Sequence, residues 1–188
     1  LPGIFHTTAD SIPSGEPYIV ADSRNAQQWR TKLPASNLKV GLVWSGRPQH
    51  TNDRNRSCRL SDLRPLLEIP DVLFVGLQKG AAAEQAADLP AGIHFVNLSE
   101  DLKDFNDTAG LLAHLDLLIG VDTAVIHLAG AMGKPTWVML PFIPDWRWAM
   151  HREDSRWYPS LRLFRQQRPK DWAGVVERMR RELLGEVH

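Results

Sequence analysis

The chain has 188 residues, 43% hydrophobic and 23% charged, enough for one α/β domain with a substantial core and too apolar for disorder. Lysine plus arginine and aspartate plus glutamate number 22 each, so no global charge draws the chain to nucleic acid or an anionic membrane, and any anion site must be local. No apolar run approaches the roughly 20 residues that span a bilayer and no signal pattern opens the chain, so the expected compartment is cytoplasmic.

A single cysteine, Cys58, excludes an intrachain disulfide and a multi-thiolate metal site, and its expected role is structural. The seven histidines form no HxH or HxxxH pair, so no metal is expected. The chain opens on Leu1 instead of methionine, which suggests a fragment of something longer.

Residues 1 to 36 are punctuated by Pro2, Gly3, Pro13, Gly15, Pro17 and Pro34 and contain few apolar blocks, so they are expected to be a linker with the end of a preceding domain. Within them Tyr18 to Val20 suits a short extended piece, and Ser23 is placed to cap a helix running to about Leu33. Residues 37 to 188 form the expected folded domain. Its first strand is Lys39 to Trp44, KVGLVW, apolar and β-branched. The loop that follows, Ser45 to Arg59, crowds Arg47, His50, Arg54, Arg56 and Arg59 against one acid, Asp53. Such a run is commonly a solvated charge cluster, but one leaving the carboxyl end of a parallel strand opens where ligands of these folds bind.

Ser61 to Glu68 suits a short helix capped by Ser61, with Pro65 in its first turn. Val72 to Leu77 is the second strand. Its exit, Gln78, Lys79 and Gly80, brings an amide and a cation to the same sheet edge before an alanine-rich helix to about Asp88. Lys79 could equally face solvent. Ile93 to Val96 is a third strand, and Asp107 is placed to cap a helix over Thr108 to His114. Phe105, the lone aromatic of the intervening acidic loop, suits either stacking on a base or closing the core.

The centre of the chain is Leu115 to Leu140, LDLLIGVDTAVIHLAGAMGKPTWVML. Leu117 to Val121 is a continuous apolar run, the pattern of a strand buried on both faces. After Asp122 the spacing turns helical, with Ala124, Leu128 and Met132 four apart, until Gly133 and Pro135 stop it. Thr136 to Leu140 is again a strand, completing a βαβ unit. Asp122 and Thr123 occupy the helix N-cap region, where open backbone N–H groups favour an anion. Thr123 and His127 share one helix face, so one phosphate could meet both amides and imidazole. The bland alternative is a capping Asp122 and a His127 satisfied within the fold.

Pro141 to Tyr158 is a long loop dense in tryptophan and charge, a length that usually carries function or an interdomain contact. Leu161 to Phe164 is a last strand. Asp171 caps a terminal helix whose Trp172, Val175, Val176, Met179 and Leu183 form an apolar stripe that must be covered. The expected class is therefore a Rossmann-like three-layer α/β/α domain on a mainly parallel sheet of about six strands. No strand is followed by GxGxxG, which disfavours an NAD site.

VDTAVIHLAGAMGKP at 121 to 135, NDRNRS at 52 to 57, LQKG at 77 to 80 and PDWRW at 144 to 148 together resemble one family. It is the heptosyltransferase-like glycosyltransferase family nine, in its branch fused to tetratricopeptide repeats, and the similarity is to the carboxyl-terminal, donor-binding half of a GT-B fold. The resemblance implies a nucleotide-diphospho-sugar substrate with no metal or other cofactor. It further implies an acceptor-binding partner domain preceding the linker, which would hold the catalytic base, and a terminal helix crossing back to that domain. Carried over to matching positions, Asp122 would face the donor sugar or a basic partner, and the Thr123 and Ala124 amides and His127 would contact the diphosphate. Arg56 would occupy the position of a phosphate-neutralising cation; Arg54 of the same loop and Gln78 and Lys79 after the second strand are further candidate donor-binding residues, and Phe105 is a possible base contact. Ala124 departs from the usual glycine, so the turn is expected either to pass directly into the helix or to bind somewhat differently. A degenerate scaffold domain and a GT-B-fold nucleotide-sugar epimerase, with Glu84 or Glu153 as acid or base, are the competing expectations.

Overall fold

A computed structural model describes residues 3–8 and 11–187, so Leu1 and Pro2 lie outside it. Six strands form one sheet in the order β3-β2-β1-β4-β5-β6. They are β1 (Leu38–Val43), β2 (Val72–Gly76), β3 (Phe95–Asn97), β4 (Leu117–Val121), β5 (Thr136–Leu140) and β6 (Leu161–Arg165). Every neighbouring pair is parallel. All six therefore deliver their following loops to one rim. The chain winds outward from β1 through β2 to β3, then returns to β4 and winds the other way. That reversal puts the topological switch between β1 and β4, whose ends are in register at Val43 and Gly120.

Each face of the sheet has its own core. On one side Val40, Leu42, Phe74, Ile119 and Val121 meet α3 (Arg64–Leu67) and α6 (Trp172–Val187). Val175, Val176, Met179 and Leu183 are all at most 1% exposed, so the stripe of the terminal helix is covered by its own domain. On the other side Val75, Leu118 and Val138 meet α4 (Phe105–Leu112), α5 (Ala124–Ala131) and α1 (Ser23–Lys32). Helix α1 lies within the stretch expected to be a linker, yet its Trp29 is 3% exposed against that layer. Asp22, and not Ser23, caps α1, its Oδ1 accepting from the Asn25 N–H at 2.8 Å.

Several local expectations shift by a few residues. Helix α4 begins at Phe105 because Asp104 is the cap, accepting from the Asp107 N–H, while the Asp107 carboxylate accepts from the Lys103 N–H and from Asn25 of α1. The alanine-rich segment Ala81–Asp88 is a 3₁₀ helix with no buried residue, and Leu60–Leu63 is a 3₁₀ turn running into α3. Tyr18 and Ile19 form no strand; their N–H groups both reach the Ala131 carbonyl at the end of α5. Helix α5 stops as expected. Gly133 has φ 68°, its N–H reaches the Gly130 carbonyl and the Lys134 N–H the Ala129 carbonyl, the double closure that a left-handed glycine allows. Cys58 is buried, its thiol pushed up in pKa by that burial. No described helix is long and apolar enough to cross a membrane.

Candidate functional site

The carboxyl-terminal rim carries a cleft of about 460 Å³ at the β1/β4 switch. Four strand exits line it: Asn52 and Arg56 after β1, Asp122 after β4, Phe142 and Asp145 after β5, and Lys170 after β6.

Arg56 is its keystone. It ends the short helix α2 (Asp53–Arg56), which returns the basic loop over the rim. Its Nε donates to Asp53 Oδ1 at 3.3 Å and its Nη1 to the Asp122 carbonyl at 2.7 Å, so one guanidinium joins the β1 loop to the end of β4. Gly46 makes room for it, since a Cβ there would overlap the guanidinium. The Ser57 hydroxyl completes the brace, donating to Asp53 Oδ1 and accepting from the Gly46 N–H.

At Asp122 the chain turns into α5. Thr123 is the N-cap with φ −141° and ψ 168°, but its side chain makes no capping bond, and its Oγ1 is buried without a partner. The Ala124 and Val125 amides therefore end the helix as uncapped donors. Ala124 is already helical and has no positive φ, so its methyl is accommodated by direct passage into α5.

His127 lies one turn on and is held on three sides. Its Nε2 stands 3.5 Å from Asp122 Oδ1, its Nδ1 3.3 Å from the Tyr158 hydroxyl, and its ring stacks on Trp148 with centroids 5.4 Å apart. Tyr158 lies against Gly130, where a Cβ would overlap its ring. Burial and the neighbouring Tyr18 hydroxyl push the Tyr158 phenol up to about 12, so it stays protonated at neutral pH. Burial alone would raise the Asp122 carboxyl, but the His127 ring N–H and the charges of His127 and Arg56 outweigh it and hold the group below its ordinary 3.8. Because the folded pKa is depressed, ionised Asp122 stabilises the fold fully above 3.8, and that contribution is lost as pH falls through the lower folded value. In urea melts, Asp122→Asn should lower the midpoint at about pH 5, and the deficit should vanish in acid. A deficit that grows as pH falls would contradict this account of the carboxylate.

Thr123, Ala124 and His127 follow Asp122 in the chain but do not line the cleft, and the other expected site residues are placed differently again. Gln78 is 3% exposed; its Oε1 accepts from the Trp44 and Ser45 N–H groups and its Nε2 donates to the Ser45 and Lys79 carbonyls. It clamps the β1 and β2 exits together. Lys79 Nζ donates to the Ser99 and Leu102 carbonyls at 2.7 and 2.9 Å. Both lie on the same rim but border a separate depression. Arg54 is exposed and does not line the cleft. Phe105 is 60% exposed at the start of α4, outside the core and outside the cleft. Glu84 borders the Lys79 depression, and Glu153 lies by β6. Among the described residues no group of three or more His, Cys, Asp or Glu could hold a metal. Trp148 enters the sequence analysis only as the last letter of PDWRW, and Tyr158, Gln166 and Lys170 are not among the expected site residues. The tryptophan density of the loop is the signal that points to it, while Gln166 and Lys170 carry none.

Residues 69–138 match glycosyltransferase family 9 (heptosyltransferase). The chain resembles that family. Protein FlbA of Caulobacter vibrioides is 31% identical over 185 residues, covering 92% of this chain and 30% of FlbA. The ADP-heptose LPS heptosyltransferase II of E. coli superposes on 92% of this chain and 55% of its own, with a TM-score of 0.59 at 15% identity. The wall teichoic acid polymerase TagF aligns over 62% of this chain and 28% of its own at 16% identity and a TM-score of 0.40, too loose to build on. This chain thus spans less than a third of FlbA and about half of the heptosyltransferase, and its fold is the GT-B-like α/β arrangement of the latter.

Proposed function

We propose that this chain is the donor-binding half of an inverting glycosyltransferase, taking the diphosphate of a nucleotide sugar in the cleft at the β1/β4 switch. The observation that carries the reading is the Arg56 guanidinium bonded to the Asp122 carbonyl beside the uncapped start of α5. Sugar transfer leaves negative charge on the departing diphosphate, and a cation beside open helix amides is what that charge requires. Asp122, kept ionised, would repel phosphate and so belongs to the sugar end or to a basic partner group. His127 is engaged by Asp122 and Tyr158, so contact with the diphosphate would exchange one of those bonds. No catalytic base is assigned to this chain. It would come from an acceptor-binding domain, with tetratricopeptide repeats, in a longer cytoplasmic protein.

The test is thermal stabilisation by adenosine, uridine and guanosine diphosphates and their sugars. A ligand at 100 times its dissociation constant should add about 2.7 kcal/mol. Binding with little or no transfer is expected of residues 1 to 188 alone, and robust turnover would refute the assignment of the base elsewhere. A non-catalytic scaffold is the second reading, favoured by the backbone bonding that fully engages Gln78 and ties down Lys79. It requires no heat and no shift with any of these nucleotides.

A further inference from the structure

We propose that the arginine-lined hollow between β6 and α6 is a second anion site, taking a small phosphorylated molecule. Strand β6 is the sheet edge, and only part of it is covered. The Leu163 N–H donates to the Glu153 carbonyl at 2.7 Å, and Asp154 bridges antiparallel to Arg162. Between this cover, β6 and α6 lies a hollow of about 690 Å³, larger than the rim cleft and within the range of ligand sites.

Arg152, Arg162, Arg165, Arg178 and Arg181 line it, against the acids Glu153 and Glu182, in a chain whose formal charge is zero. Three of the five arginines have carboxylate partners. Arg162 forks onto Glu182 with two bonds of 2.9 Å, Arg152 pairs with Asp154, and Arg181 stands 3.9 Å from Glu177. Among the described residues the other two bond only carbonyls: Arg165 Nη2 donates to the Trp148 carbonyl at 3.2 Å, and Arg178 Nη2 to the Arg165 carbonyl. Arg165 Nη1 is buried without a partner, and burial pulls its guanidinium pKa down. A half-buried cation with an unpaired donor and, among the described residues, no carboxylate in ion-pair range is the arrangement that an arriving anion relieves.

The hollow also adjoins the rim cleft, for Gln166 lines both. Its Oε1 accepts from the Phe142 and Lys170 N–H groups, which fixes the amide, and its Nε2 is buried with no acceptor. Two residues that line the hollow, Arg165 and Gln166, thus each carry a buried donor without a partner. Guanidinium groups match phosphate oxygens two at a time, so two arginines without carboxylates suit one phosphate group. The acids among the lining, Glu153 and Glu182, disfavour an extended polyanion.

The site stands or falls apart from the donor cleft. Calorimetric titration of the folded chain with inorganic phosphate and with a hexose phosphate should show binding that weakens with salt. Arg178→Gln and Arg165→Gln should each weaken it at least about tenfold, and Arg56→Ala should leave it within about twofold. With a nucleoside diphosphate the pattern should reverse. Should Arg165→Gln fail to fold, Arg178→Gln decides alone. No heat with either probe at millimolar concentration overturns the proposal. So does unaltered binding by a folded Arg178→Gln variant, or a loss confined to Arg56→Ala, which would place the anion in the rim cleft.

Discussion

Trp148→Ala is expected to destabilise the protein by about 3–5 kcal/mol, the usual cost of emptying a fully buried tryptophan site. The side chain is 1% exposed and belongs to the core beneath α1, α4 and α5, although it sits in the 3₁₀ turn Trp146–Trp148 of a long loop. Its backbone is equally committed: its N–H donates to the Asp145 carbonyl, and its own carbonyl accepts from Arg165. Such a loss is a large fraction of the roughly 5–15 kcal/mol by which a domain is stable. The urea midpoint should fall steeply at unchanged slope. The variant should also free the His127 ring, which stacks on this indole, and the ring's NMR signals should broaden or divide. A loss below about 1 kcal/mol would mean that the loop does not anchor the core as the burial implies.

The same tryptophan marks where sequence reasoning stops. Strands β4 and β5 are legible residue for residue, because parallel strands covered on both faces leave uninterrupted apolar runs that only a buried strand explains. The stop of α5 is legible for an equally local reason, a glycine that can take positive φ. Asp107 is different. Either Asp104 or Asp107 can cap a helix; Asp104 does, while Asp107 takes the Lys103 N–H at 2.9 Å and the amide of Asn25, 82 residues away, at 3.3 Å. Ala81–Asp88 misleads because alanine favours an α-helix intrinsically, whereas a segment with no buried residue has no packing to enforce one.

The candidate site divides along the same line. Arg56 and Asp122 each leave the carboxyl end of a recognisable strand, and parallel topology alone brings such exits to one rim. Lys79 is legible to that same extent, as a cation on the rim. That its ammonium is held by the Ser99 and Leu102 carbonyls depends on how the β3 loop folds back, for which the letters give no sign. The three-sided grip on His127 is likewise invisible, since Trp148 and Tyr158 approach it from a loop whose path is set by the tertiary fold.

Arg56→Ala should weaken binding of a nucleoside diphosphate by about 10- to 100-fold, the equivalent of losing a charge-assisted hydrogen bond in a sheltered site. The side chain is 14% exposed yet lines the cleft, so its field on a bound anion is only partly screened by solvent. Two effects are entangled: the cation is lost, and the Asp122 carbonyl loses the donor that fixes the turn into α5. Comparing ligands separates them. If Arg56 touches the diphosphate, the parent nucleoside should lose far less affinity than the diphosphate. If Arg56 acts only as a brace, both should weaken alike. Arg56→Lys should rescue little, because one ammonium cannot reproduce the fork that reaches Asp53 and the Asp122 carbonyl together. Full rescue by lysine would reduce the keystone to a point charge. Unaltered diphosphate binding by a folded Arg56→Ala variant would move the donor site away from the β1/β4 switch altogether.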